Sequence, residues 1–469
     1  MSFENPRGQF VVLVILAAML LFIPLHRTGL AGYDDAFFAH QGKEIALTGD
    51  WWTIHFNGAP SFVYPPLYIW LEAASFKVFG IHDFAAKLPT ALLGLGTIVL
   101  IYFLTLELTG QAWLSLLAML VLTSTQFFIK NATHAMTDVP FTFLFTLVIF
   151  FYLKGLRKPA FLALLGLPLG LALLMRSVIG LLAVGILVTH AVLTKRYKLL
   201  WSPWLVSGLI LGLALPAIWY ISQFELHGFA AVESHVRFIG SKIHVEQGSN
   251  HWLTLLNYPE SLLKYYWPWL PFLLTGLVLQ VRAMIREKDP VASLLAVWIL
   301  FILIPFSMVQ TRYPRYIMPV YPAFSIVSAI ALERLIPQAR RKIFFNSACA
   351  IGFLAICLTI LIPPKARADD IRTLAPIADA SCLPGERVLF YTYEDGRADY
   401  QWQFLWYGRS YTGLASDLNS LASQLKSNTS ATVIVDKKSY ERLRHEIPAE
   451  ITQHWSTLGE TDKLVCFRS

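Results

Sequence analysis

The sequence predicts an all-α polytopic membrane protein with a small C-terminal α/β domain, and three observations carry that expectation. Hydrophobic residues make up 56% of the 469 positions and charged residues only 14%, where a soluble chain carries about 25% charged residues. Mean hydropathy is +0.54. The charge is also unevenly spread. Residues 363–469 hold 13 basic and 14 acidic residues, whereas residues 1–362 hold 25 and 16. The first part therefore reads as a membrane body and the second as a soluble domain, divided at Pro363-Pro364. Collagen-like, disordered and disulfide-scaffold chains are excluded, since Gly is 27, Pro 25 and Cys only 4.

Apolar runs long enough to approach ~30 Å of hydrocarbon fall near 10–25, 86–107, 112–129, 139–153, 160–175, 178–194, 203–221, 267–281, 291–309, 317–333 and 343–362. That makes about eleven spans, with a re-entrant hairpin around Met175-Arg176 as the alternative for one pair. Residues 1–25 lack a small-residue cleavage site and read as a retained first helix.

Orientation follows from the basic loops. Lys154, Arg157 and Lys158 fill one; Lys195, Arg196 and Lys198 a second; Arg282, Arg286 and Lys288 a third; Arg334, Arg340, Arg341 and Lys342 a fourth. With an odd span count all four lie on the side of the N-terminus and Arg7, the cytoplasm. The opposite side then receives the loops 26–85 and 222–266 and the domain 363–469, periplasmic or extracellular.

In the tail, residues 387–393 and 431–436 are strand-like and 414–425 has helical spacing. Cys382 and Cys466 lie in this exported domain, where an oxidising compartment permits a disulfide or leaves two free thiols. No glycine-rich phosphate loop and no metal-ligand cluster is present in the tail, and nothing in the chain asks for a nucleotide or nucleic acid.

Chemistry is expected where polar groups crowd the outer face. Gly32-Tyr-Asp34-Asp35-Ala-Phe-Phe-Ala39 directly follows the first helix. A partly desolvated carboxylate there makes a good general base. An acidic N-cap for the run 36–47 is the alternative. The loop continues with Thr48-Gly-Asp50-Trp-Trp52, Phe56-Asn-Gly58-Ala-Pro60, Tyr64-Pro-Pro-Leu-Tyr-Ile-Trp70, Phe79-Gly80-Ile-His-Asp-Phe84 and Ala85-Ala-Lys87-Leu-Pro89.

That ordered set resembles the first loop of polyprenyl-phosphate-dependent glycosyltransferases of the C-type (GT-C) fold, nearest the bacterial aminoarabinose-transferase and protein-O-mannosyltransferase-like superfamily. Downstream, His134-Ala-Met-Thr-Asp138-Val-Pro140-Phe-Thr-Phe143, Glu233 with Arg237-Phe238, His251-Trp252 and Tyr313-Pro-Arg315-Tyr316-Ile-Met-Pro319 resemble further elements of the same pattern. The resemblance covers the membrane body and fades in the tail.

It implies Asp34 as the base, with Asp35 assisting, and a sugar on polyprenyl phosphate as donor. The acceptor would be a hydroxyl on a glycan, lipid or protein. Arginine suits bidentate phosphate contacts, so Arg176, Arg237, Arg312 and Arg315, with Lys242, are the expected phosphate ligands. Tyr64, Asp138, His251 and Tyr316 complete the expected donor site.

Two departures stand out. Val63-Tyr64 replace an acidic-basic pair, and Phe37 replaces an arginine. They count against aminoarabinose as the sugar, lipid A as the acceptor and zinc as a cofactor; a divalent metal stays open. A flippase or transporter for a polyprenyl-linked substrate would instead place charges at the midplane around broken, repeat-related helices. An O-antigen polymerase or ligase would lack the early Asp-Asp loop. The orientation is checked by a reporter active only outside the cytoplasm: fused after Ser469 it works, and fused after Lys198 it fails.

Overall fold

The computed structural model describes residues 6–243, 257–309, 312–362, 369–383, 385–391, 399–415, 420–421, 425, 430–447 and 452–469. Among the described residues eight helices are long and apolar enough to cross a membrane, nine with the bent pair Ala112–Ser124 and Gln126–Ala132. The chain is a multi-pass membrane protein, as the composition predicts. Contacts divide it into two compact units.

The first unit comprises Met1–Leu25, Phe62–Tyr68 and Lys87–Pro363. Its helices are apolar nearly all round, which suits lipid on one side and protein on the other. Residues 161–193 form one continuous helical run, yet it is no single rod. Leu162 packs on Gly155, Arg176 bonds Asp138, and His190 bonds Tyr152. The run therefore climbs along the Asp138–Arg157 helix, breaks after Arg176, and descends again.

The climbing half packs on the helix Pro203–His227 through facing glycines four residues apart, Gly166/Gly170 against Gly208/Gly212. A Cβ on Gly208 would sit 2.3 Å from the Leu162 carbonyl oxygen, and one on Gly166 2.1 Å from that of Gly208. Lipid tails are as apolar as leucine, so helices associate here by close backbone approach rather than by hydrophobic burial.

The second unit comprises His26–Ser61, Ile69–Ala86 and Pro364–Ser469. The first external loop thus folds with the tail, where charge distribution alone grouped it with the membrane body. Its core is a five-stranded mixed sheet. The strands are β1 (His55–Phe56) and β2 (Ala59–Pro60) in a separate hairpin, then β3 (Val388–Tyr391), β4 (Thr412–Leu414), β5 (Thr432–Asp436), β6 (Ser456–Glu460) and β7 (Leu464–Arg468). The large sheet has order β4-β3-β5-β7-β6. The first three strands run parallel and the last two antiparallel to their neighbours.

Both expected strands are present, with residues 392–393 outside the described set. Leu414 ends a strand rather than opening a helix, because its pairing with β3 satisfies the backbone there. Most of 415–425 lies outside the described residues. Cys382 and Cys466 pack in one cluster as free thiols, and burial pushes the Cys466 thiol up to about 12.

The glycine seam gives a direct test. Gly208→Leu is expected to destabilise the purified protein by about 1–3 kcal/mol or more through overpacking against backbone, seen as a lowered thermal midpoint in detergent. Gly8→Leu, whose added Cβ meets nothing within 4 Å, leaves the midpoint unchanged.

Candidate functional site: a buried carboxylate, an arginine and an apolar cavity

In the membrane unit, Asp138 is the first residue of its helix and is almost wholly buried. An isolated buried carboxylate is costly, and two guanidinium groups answer that cost. Arg176 Nη1 donates to its Oδ1 at 2.6 Å, and Arg315 Nε stands 3.9 Å from Oδ2. Aromatic faces complete the cluster: Arg176 lies over the Tyr316 ring at 5.6 Å and Arg315 over Tyr313 at 4.7 Å. Two guanidinium groups thus meet this carboxylate.

Of that trio, Arg176 lines a cavity of about 300 Å³. The walls are mostly apolar, with Val63, Pro65, Val178, Ile179, Leu182, Pro305, Phe306 and Val309. Tyr64 and Tyr316 add hydroxyls, and the Tyr64 ring packs edge-on against Phe238 at 5.1 Å. The cavity exists because the helical run breaks at Arg176. Ser177 takes φ +55°, ψ −142°, a conformation side chains rarely adopt, and a short 3₁₀ turn follows. Such strain clusters at ligand sites and costs of order 1–3 kcal/mol.

A second polar group on this wall was missed in the sequence. His235 Nδ1 is 3.0 Å from the Phe62 carbonyl oxygen, which only accepts, so Nδ1 carries the proton. Its Nε2 then accepts from Ser177 Oγ at 3.0 Å and Tyr220 Oη at 3.1 Å. Burial pushes the imidazolium below its usual range, so the ring is neutral. The signal was present, since His235 stands two residues before Arg237 in the stretch already singled out.

Helical spacing separates those two. His235 and Phe238 reach the cavity, while Arg237 is 78% exposed and pairs with Glu233 at 2.5 Å. Arg237 therefore does not join the cavity. Arg312 Nε donates to the Ser307 carbonyl at 3.0 Å and is not among the lining residues. Lys242 sits in the last turn of Phe229–Ile243 with its side chain outside the described set, and His251 lies outside the described residues. Among the described residues no three His, Cys, Asp or Glu side chains gather as a metal would require. With both nitrogens engaged, the His235 ring has no lone pair left for a metal.

In the second unit, Asp34 and Asp35 occupy the first turn of Tyr33–Thr48. The cap residue, Gly32, offers no side chain. Asp35 is buried in that turn, and its Oδ2 accepts from the Ala31 amide at 3.1 Å, which ties the chain entering the helix to its first turn. Asp34, beside it, is only half-buried. The helix is held from its far side by the tail. Lys43 Nζ donates to the carbonyls of Leu405, Trp406 and Gly408 at 3.0, 2.9 and 2.5 Å, closing the end of the helix Asp399–Tyr407. Burial lowers that ammonium to about 8. Tyr407 Oη accepts from the Leu30 amide at 2.9 Å, just ahead of the acidic pair. Phe37 is buried against Phe38, Phe56 and Trp402. An aromatic core stands where the resemblance expected a phosphate-binding arginine.

Residues 9–230 match the family model described as dolichyl-phosphate-mannose-protein mannosyltransferase. An uncharacterized protein of Aquifex aeolicus is 29% identical over 75% of this chain and 70% of its own length. An undecaprenyl phosphate-alpha-4-amino-4-deoxy-L-arabinose arabinosyl transferase of Serratia proteamaculans is 26% identical over 75% of this chain. The match spans 64% of that transferase's length. The crystal structure of ArnT from Cupriavidus metallidurans bound to undecaprenyl phosphate superposes with a TM-score of 0.77 at 17% identity, covering 98% of each chain, a likeness of fold. Loop motifs, family match and fold agree: this membrane protein has the GT-C glycosyltransferase fold and is similar to the aminoarabinose transferases and protein O-mannosyltransferases.

Proposed function

We propose that the chain is an inverting glycosyltransferase that moves a sugar from a polyprenyl-phosphate carrier to a hydroxyl on a glycan, lipid or protein at the outer face of the inner membrane. The tail domain lies on that face. The observation that carries the reading is the apolar cavity with the Arg176 guanidinium in its wall. Apolar walls suit a prenyl chain. The Arg176 guanidinium, held by Asp138, suits the phosphate at its head. The undecaprenyl phosphate bound in the Cupriavidus ArnT structure and the names of the arabinosyl transferase relatives support the same donor class.

The mechanism follows from charge. As the glycosidic bond to the acceptor forms, the bond to the carrier phosphate breaks and negative charge grows on the departing phosphate. Arg176, oriented by Asp138 and flanked by Arg315, stabilises that charge, an effect typically worth about 3–4 kcal/mol per preorganised donor. Tyr64 and Tyr316 supply hydroxyl contacts to the same phosphate. The acceptor hydroxyl loses its proton to Asp34, while Asp35, engaged with the Ala31 amide, fixes the turn that presents Asp34. Asp138 is a positioning residue: it is buried and engaged by Arg176 and Arg315.

Transfer of radiolabelled sugar from purified polyprenyl-phosphate-sugar separates this reading from a flippase, which moves the lipid without breaking it. In that assay Asp34→Asn is expected to keep donor binding and lose roughly 10²-fold or more of transfer. Asn preserves the shape and any capping role, so parental transfer by Asp34→Asn refutes the base assignment.

Arg176→Gln is expected to weaken donor binding or slow transfer by at least tenfold, whereas Arg237→Gln stays near parental. Asp138→Ala leaves the mostly buried Arg176 guanidinium without its carboxylate. It is expected to cost about 3–5 kcal/mol of stability, read as a large fall in thermal midpoint.

A further inference from the structure

The Asp138–Arg157 helix has a charged cluster at each end. Asp138 begins it; Lys154 and Arg157 lie in its last turn. At 1.5 Å per residue those ends are separated by roughly 25–29 Å, about the thickness of the hydrocarbon layer. The far cluster borders a second cavity, of about 240 Å³, lined by Glu107, Arg157, His190 and Arg196 with an aliphatic wall that includes Leu153 and Leu294.

The charges there do not cancel. Glu107 is buried and receives Lys154 Nζ at 2.5 Å and Arg157 Nη1 at 2.9 Å. Arg196 is exposed at the rim, and among the described residues no carboxylate pairs with it. Three cations face one anion. His190 adds no charge: its Nε2 is 3.1 Å from the Pro290 carbonyl oxygen and so carries the proton, and Nδ1 accepts from Tyr152 Oη at 2.8 Å. It braces the wall between the helices that end here.

We propose that this second cavity binds the phosphate headgroup of an anionic glycerophospholipid in the leaflet on the basic-loop side. Arg196 and Arg157 meet the phosphate, and the acyl chains lie along the aliphatic wall. A soluble phosphate has no use for that wall, whereas a lipid needs both features at one depth. Basic pockets between helices at a membrane face bind such headgroups, and each basic side chain there contributes about fivefold in affinity. The site is separate from the donor cavity, whose Arg176 bonds Asp138 at the other end of the Asp138–Arg157 helix.

The test uses the delipidated full chain in detergent, titrated with phosphatidylglycerol, phosphatidylcholine or polyprenyl phosphate and read by native mass spectrometry. The parent is expected to hold one phosphatidylglycerol at least fivefold more tightly than phosphatidylcholine. Arg196→Gln should weaken phosphatidylglycerol about fivefold and Arg196→Glu further, with phosphatidylcholine and polyprenyl phosphate unchanged. Arg196 is exposed, so an unchanged thermal midpoint is expected in both variants. Arg176→Gln should leave phosphatidylglycerol binding at the parental level, which keeps this site's failure distinct from that of the donor reading. Equal retention of the two phospholipids overturns the proposal, as does parental phosphatidylglycerol affinity in Arg196→Glu. Loss of polyprenyl phosphate rather than phosphatidylglycerol in Arg196→Gln overturns it in favour of the carrier lipid.

Discussion

The membrane unit depends on one buried carboxylate. Asp138 opens a helix inside an apolar bundle, where neither water nor lipid can solvate it, and it is stable only because Arg176 and Arg315 reach it. That demand fixes three elements at once. The helix Gly166–Arg176 must end at the level where the Asp138 helix begins, and the 3₁₀ turn Pro314–Val320 must pass beside both. The break after Arg176, with Ser177 held in a strained conformation, then becomes the cost of delivering the guanidinium. The cavity is what the break leaves. The glycine seam with Pro203–His227 serves the same end, because it holds the climbing half close enough to a neighbour for the tip to be placed reproducibly.

Much of this was legible in the sequence, for identifiable reasons. An ionisable residue inside an apolar run is expensive, so Asp138, Arg176 and Arg315 announce themselves as partners of something. The sequence could not pair them, since residues 138, 176 and 315 are far apart along the chain and only the turn at 158–160, which folds the climbing half back along the Asp138 helix, brings the first two together. Arg237 was singled out because it is basic and lies in a motif-like stretch. Helical phase puts His235 and Phe238 on the cavity instead, and phase is uncertain when a helix boundary is uncertain by a residue or two. Phe37 shows the converse. A departure from the family pattern looked like a missing phosphate ligand, and in the structure it is an aromatic core residue beside Trp402.

The second unit was harder to read because its main ties run to backbone. Lys43 meets three carbonyls, Tyr407 an amide, and Asn57 both the amide and the carbonyl of Thr412 at 2.9 Å. Backbone groups carry no residue-type signature, so no motif in the tail reveals that it folds with residues 26–61. Charge counting found the tail's solubility and not its partner. Two adjacent acidic residues admit both a capping and a catalytic role; the second of them, Asp35, is buried and bonded to the Ala31 amide ahead of the helix.

That division bears on how the chain departs from its relatives. Where the family pattern supplies loop residues of opposite charge before the Pro-Pro pair, this chain has Val63 and Tyr64, both on the cavity wall. A neutral loop brings no charge to the phosphate, so in the reading proposed here the bundle supplies it, through a guanidinium anchored on a buried aspartate. A loop cation is flexible and solvated, and it loses side-chain entropy when it binds. Arg176 has already lost that freedom to Asp138 and Tyr316, and its desolvation is met in the folded protein before any lipid arrives. Preorganisation of this kind favours charge that develops during the reaction over charge already present. The buried pair, costly for folding, thereby places the stabilisation where the leaving phosphate acquires its charge.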